Sequence, residues 1–227
     1  MSLSNHNHFE VVLLQTLQVK LVSGGREQVV RVLFENGSQR SYILKGTARK
    51  LGYQPVSSQV LGHTLFGGTQ TRNEIHYCYN VSIKSMDGNY TGAICVLDQH
   101  KICDALPRLT DSSCLEELKG KHIYLTDCGE GQPEIELLIG ADVSGKLLTG
   151  KVHRLKNDMV AVETLLGWVV MGKVHERREH STFASTITSM LIYNNNDLSN
   201  QWRLDTIGIT DPAVKKSEAE LEADVMN

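Results

Sequence analysis

The stretch Ile75-His76-Tyr77-Cys78-Tyr79-Asn80-Val81-Ser82-Ile83-Lys84 alternates bulky residues with smaller or more polar ones. A period of two marks a half-buried strand, because successive side chains leave a strand on opposite faces. Ser85-Met86-Asp87-Gly88-Asn89-Tyr90 follows, and Asp-Gly is a strong hairpin signal. Tyr90 to Leu97 then reads as the returning strand. This pair commits the chain to an antiparallel sheet.

The remaining signal is mostly β as well. Val11 to Val22 reads as one long strand, which Gly24-Gly25 turns into Gln28 to Phe34. Val56 to Leu65 reads as a strand, with Phe66-Gly67-Gly68-Thr69 as a flexible turn after it. Glu134 to Ile139 is an apolar strand ending at Gly140, and residues 164–172, TLLGWVVMG, form another, with Gly167 as a bulge or close contact. Two short helices fit: Lys45 to Leu51, ended by Gly52, and a turn or two over Asp142 to Leu148. The expected fold class is all-β with one or two short helices. Its domain spans residues 10–174, after an N-terminal tail of residues 1–9. From about residue 175 the composition becomes charged and turn-rich, so residues 175–227 read as a linker or tail.

Composition narrows the function classes. The chain has 227 residues, 41% hydrophobic and 22% charged, with a formal net charge of −3. That is the profile of a soluble globular protein, too near neutral for nucleic-acid binding through bulk charge. No apolar run approaches the ~18 residues of a transmembrane span, and MSLSNHNHFE lacks the basic and apolar blocks of a signal peptide. A cytoplasmic location follows as the expectation, with no membrane partner. The five cysteines, Cys78, Cys95, Cys103, Cys114 and Cys128, lie far apart and include no C-x-x-C pair. They read as reduced thiols, several of them buried, with no zinc site or other metal and no cofactor.

The chemistry-bearing segment is FENGSQRSYI, residues 34–43. An apolar strand delivers Glu35 to Asn36-Gly37, and the chain turns apolar again at Tyr42. Asn-Gly alone marks a plain hairpin turn. A strand that presents an acid at a glycine turn is also how aspartic peptidases hold their catalytic Asp. Two such carboxyls about 3 Å apart cannot both ionise, so one activates water while the other keeps a proton for the scissile carbonyl. Small single-domain versions supply one acid per chain and must dimerise. Further on, HTLFGGTQT offers a glycine-bearing tip where a flap belongs, and Leu137-Leu138-Ile139-Gly140-Ala141-Asp142 repeats the apolar-Gly-x-Asp pattern that opens such a fold's helix.

With these segments in this order, the chain resembles the Pao retrotransposon peptidase family, the retroviral-type aspartic peptidases of Bel/Pao elements. The matching segments are VRVLFENGSQRSYI, where the family has acid-Ser-Gly-Ser-Gln-x-Ser-[FY]-Ile, and LGHTLFGGTQT, HKICDALP, IELLIGADVSGKLLTG and AVETLLGWVVMGKV. They span roughly residues 11 to 174. QWRLDTIGITDP beyond them resembles the family's linker towards reverse transcriptase, so the chain reads as a polyprotein fragment or a remnant gene. The resemblance implies a closed β-barrel and a homodimeric endopeptidase that cleaves its own polyprotein. Glu35 then stands where the catalytic Asp belongs, and Asn36 at the Ser/Thr that cross-links the two turns. Gly37 and Ser38 match the family. Phe66, Gly67, Gly68 and Thr69 form the substrate-covering flap, while Gly140 and Asp142 are structural. With Glu for Asp and Asn for Ser, activity is expected to be weak or lost. The alternative is a peptide-binding or dimerisation module that keeps the fold without catalysis.

Other groups invite weaker readings. Asp127-Cys128-Gly129 imitates the peptidase triplet, but Glu-Gly-Gln-Pro follows, which is loop chemistry. His63, His76, His100, His122 and His153 show no ligand spacing and read as surface or partly buried imidazoles. Trp168 and Trp202 read as core or anchoring residues.

Overall fold

The computed structural model describes residues 11–62, 72–156 and 158–174. Apart from Gly62, Arg72 and Asn73, these residues belong to one compact unit. The elements run β1 Val11–Leu13, β2 Thr16–Ser23, β3 Arg26–Phe34, β4 Tyr42–Leu44, α1 Lys45–Leu51, β5 Ser57–Leu61, β6 Glu74–Lys84, β7 Thr91–Gln99, α2 Ser112–Gly120, β8 Leu137–Ile139, α3 Ala141–Leu147, β9 Leu148–Arg154, β10 Val160–Thr164 and β11 Gly167–Val174. The protein is thus mainly β with three short helices. Among the described residues, no helix is long and apolar enough to cross a membrane.

Strands β2, β3, β8, β4, β7 and β6 pair in that order, and β6 pairs back onto β2, so the sheet closes into a barrel. The period of two supplies its interior. Leu17, Val19 and Leu21 of β2, Val30, Val32 and Phe34 of β3, Val81 and Ile83 of β6, Ile94 and Val96 of β7, and Leu137 and Ile139 of β8 form one buried cluster. Ala48 and Leu51 of α1 and Val143 and Leu147 of α3 join it. β3 and β8 run parallel, with Val32 opposite Leu137 and Phe34 opposite Ile139. A parallel pair needs a long crossover, and residues 35–136 provide one.

A second sheet, β1-β11-β10-β9, packs part of its surface against α2. Leu13, Leu118, Met159, Ala161, Val170 and Val174 belong to this satellite core.

Several expectations need correction. Val11 to Val22 is two strands: β1 pairs with β11 in the second sheet, whereas β2 pairs with β3 in the barrel. The apolar alternation hides this break because both halves are half-buried. Residues 164–172 hold a strand from Gly167 onward, the start of β11, but begin with the end of β10 and the Leu165-Leu166 turn of the β10–β11 hairpin. The Thr164 hydroxyl accepts from the Leu166 amide at 3.1 Å and donates to the Gly167 carbonyl at 2.7 Å. Gly167 leaves the turn at φ 130°, a backbone state that favours glycine.

The helix α2 was not anticipated, although Asp111 caps it by accepting from the Cys114 amide at 2.7 Å. The apolar run over Glu134–Ile139 is a formal strand only at Leu137–Ile139, with Glu136 still bonded to Arg31 and Leu44. The cysteines are not all free thiols either: Cys78 and Cys95 pair as a disulfide, because β6 and β7 bring their Cα atoms to 6.6 Å. Cys103, Cys114 and Cys128 form no disulfide with the described residues. Against these corrections, α1 covers the anticipated residues and ends at Gly52, whose φ of 74° suits a left-handed cap.

Candidate active site

Strand β3 ends at Phe34 and hands Glu35 to a tight turn, in which the Ser38 amide donates to the Glu35 carbonyl at 3.1 Å. The neighbouring strand anchors the turn: the Glu35 amide donates to the Ile139 carbonyl at 3.0 Å. The acid turn and the end of β8 are therefore immediate neighbours. Glu35 is half-buried, and Asn36 and Gly37 are exposed. The Glu35 carboxylate folds back over its own turn, where Oε1 accepts from the Gly37 amide at 2.7 Å.

Gly140 sits where nothing larger fits. A Cβ there would lie 2.4 Å from the Arg40 carbonyl oxygen and 2.8 Å from that of Ser38. The space is taken by backbone, which cannot swing aside. Close approach lets the Ala141 amide reach the Ser38 carbonyl at 2.8 Å and opens α3 against the acid turn.

Asp142, on the first turn of α3, fastens the far side of that loop. Its Oδ1 accepts from the Ser41 hydroxyl at 2.7 Å and its Oδ2 from the Ser41 amide at 3.2 Å. The Ser41 Oγ in turn accepts from the Gly140 amide at 3.0 Å. Ser41 is the last serine of the matched ENGSQRSYI motif, but sequence reasoning gave it no role. Yet it is buried and joins the loop, β8 and α3 in one network. Next to it, burial pushes the Tyr42 phenol above its ordinary pKa, so it stays protonated. Phe66, Gly67, Gly68 and Thr69 lie outside the described residues, as do His63 and Trp202.

Asp127 occupies a different kind of site. It is buried, and its Oδ2 accepts from Arg31 Nε at 2.7 Å. Arg108 Nε lies 2.9 Å from Oδ1, an ion-pair contact rather than an aligned hydrogen bond. Arg31 also donates to the carbonyls of Leu106 and Pro133 at 2.9 Å and of Pro107 at 3.1 Å. These bonds pin the segment between β7 and β8 to the outer face of β3. The signal was legible in Val29-Val30-Arg31-Val32-Leu33-Phe34, since a cation inside a strand buried on both faces requires a partner.

The remaining candidates are dispersed. His76 is buried, with Nδ1 2.7 Å from the Asp98 carbonyl. The His153 ring lies 5.5 Å from that of Trp168, and His100 contacts Lys45. Burial pushes the Cys103 thiol up to about 11, leaving almost no thiolate for nucleophilic attack at neutral pH. Among the described residues, no group of three or more His, Cys, Asp or Glu is arranged to hold a metal ion.

No family model and no curated protein matches the chain. Among solved structures, it is similar to the retroviral protease-like domain of Ddi1 from Leishmania major, with 12% identity and a TM-score of 0.30 over 72% of this chain and 95% of that chain.

Proposed function

We propose that this chain is a retroviral-type aspartic peptidase domain of the Bel/Pao kind, acting as a homodimer on polypeptide, with Glu35 as its carboxylate and with activity weak or lost. The observation that carries this reading is the coupling of the Glu35 turn to β8 and α3. The Glu35 amide bonds to Ile139, and Gly140 admits the loop to within backbone contact. A barrel that braces a half-buried acid from two sides suits a group that must be held still for chemistry.

In a symmetric pair, one carboxylate would take a proton from water and the other would donate to the scissile carbonyl. Glu is longer than Asp by one C–C bond, about 1.5 Å. Here the extra length is folded back onto the Gly37 amide, which draws the carboxylate towards its own chain. A misplacement of about 1 Å already costs roughly 10²-fold in rate.

Restoring the site tests this reading. The double variant Glu35→Asp/Asn36→Ser should cleave unfolded polypeptide with an acidic optimum, inhibited by a transition-state analogue, and at least ~10²-fold faster than the parent. Each single change should help little, because the two groups act as a unit. A parent as fast as the double variant would overturn the impairment. A folded, dimeric double variant inactive at every pH would overturn the peptidase reading.

One observation favours a binding module instead. β5 is an edge strand, and its register with β6 gathers Val60, Ile75 and Tyr77 on one face at 65%, 57% and 45% exposure. An extended peptide could add to that edge. Binding without cleavage, in parent and double variant alike, would establish this second reading.

A further inference from the structure

We propose that the Cys78–Cys95 disulfide is a redox-sensitive brace at the root of the arm built from β5 and the first residues of β6. The proposal stands independently of the peptidase reading, because it concerns only how the arm is held.

The register shows why the position matters. β6 pairs with β7 from Lys84 back to Cys78, where the ladder stops at Cys78 opposite Leu97. From Cys78 to Glu74 the partner of β6 is β5, and among the described residues β5 pairs with nothing but β6. The arm is therefore a two-stranded ribbon leaving a closed barrel, and such a ribbon is marginal by itself. Cys78 is the single residue shared by both ladders. Its bond to Cys95 clamps the last rungs of the β6–β7 ladder, where fraying would start. Past the clamp, two noncovalent attachments meet at Asp98: the His76 ring meets its carbonyl at 2.7 Å, and the Tyr77 amide donates to its carboxylate at 2.9 Å.

The two sulfurs differ in access. Cys78 is 4% exposed, whereas Cys95 lies on the exposed face of β7. A small thiolate can therefore attack the Cys95 sulfur, forming a mixed disulfide and expelling the Cys78 thiolate, which takes up a proton. A second thiolate attacks the mixed disulfide and releases Cys95 together with the oxidised reagent. Two thiols are oxidised, one protein disulfide is reduced, and a low-molecular-weight disulfide reverses the sequence.

Hydrogen exchange on the full chain tests the brace, after equilibration with glutathione disulfide or with dithiothreitol. Under dithiothreitol the amides of Ser57–Leu61 and Glu74–Tyr77 should exchange about tenfold faster, while those of β2 and β3 stay protected over the same minutes. Cys95→Ser should show the fast pattern in both conditions, and Cys103→Ser should respond as the parent does. Equal arm exchange in both conditions would overturn the proposal. So would alkylation of both Cys78 and Cys95 after glutathione disulfide treatment. Loosening of β2 and β3 together with the arm, or a Cys95→Ser chain that does not fold, would mark a global staple and overturn the local brace.

Discussion

Two acid-x-glycine turns in this protein, Glu35-Asn36-Gly37 and Asp127-Cys128-Gly129, read alike in sequence and have opposite physical lives. Glu35 stands half-exposed, and its carboxylate is held by an amide two residues away. Asp127 is closed off from water between two guanidinium groups that arrive from residues 31 and 108. A buried carboxylate so paired is committed to holding structure together. A half-exposed one on a braced turn remains available to a second molecule. The difference lies in what the rest of the chain brings to each turn, which the local triplet does not encode.

The largest expected contrast is in stability. Asp127→Ala removes the charge facing Arg31 and Arg108, whose side chains are 2% and 14% exposed, and leaves them uncompensated. Breaking a buried pair in this way costs about 3–5 kcal/mol. Glu35→Ala loses one exposed local hydrogen bond and should move stability by about 0.5 kcal/mol or less. Urea denaturation of both variants checks the comparison, and equal losses would break it.

A smaller effect tests whether the Glu35 turn is truly braced from outside. Gly140→Ala forces a Cβ to within 2.4 Å of the Arg40 carbonyl oxygen, so the loop must shift. Overpacking of this kind costs about 1–3 kcal/mol. Amide chemical shifts should move at Glu35–Ser41 as well as at Ala141–Asp142. Shifts confined to α3 would mean that the turn holds itself.

The smallest effect concerns a third acid, Asp111, which like Glu35 bonds a nearby amide but caps a helix. Asp111→Ala should cost about 1 kcal/mol of stability at neutral pH. The Ser113 hydroxyl, followed by the Cys114 amide, lowers the Asp111 pKa below its ordinary value of 3.8. A depressed folded-state pKa stabilises the fold above the unfolded value, and the contribution disappears as pH falls through the folded one. The gap between parent and variant should therefore close in strong acid. A gap that persists unchanged to the lowest pH at which the fold survives would show that the cap acts without its charge.

The barrel was largely legible because its strands obey a period of two: Val81, Ile83 and Ile94 alternate with exposed or half-buried neighbours, as their sequence suggests. Helix α1 was legible because Gly52 punctuates it. Within the second sheet β9 and β10 were not, since they carry Lys, His and Glu on surfaces that only partly face a core, and Leu14-Gln15 gives no sign that the chain changes sheet there. The acid turn and its apolar-Gly-Asp companion could be picked out as segments. Their joining through Ser41 could not, because a serine that donates to a carboxylate 101 positions away has no local signature. The Cys78–Cys95 pairing escaped for the same reason: it depends on strand register, which cysteine spacing does not reveal.

The parallel pairing of β3 with β8 has a consequence for how the molecule is made. The ring closes only when Leu137–Ile139 slips between β3 and β4, and these residues lie far downstream of both. During synthesis, at roughly 5–20 residues per second, β3 and β4 wait on the order of ten seconds for their missing neighbour. Through that interval the nascent sheet carries two open edges, each able to recruit a strand from another chain. Holding such a chain on the ribosome until residue 139 has emerged, or meeting it with a chaperone before then, would favour the monomeric ring over intermolecular pairing.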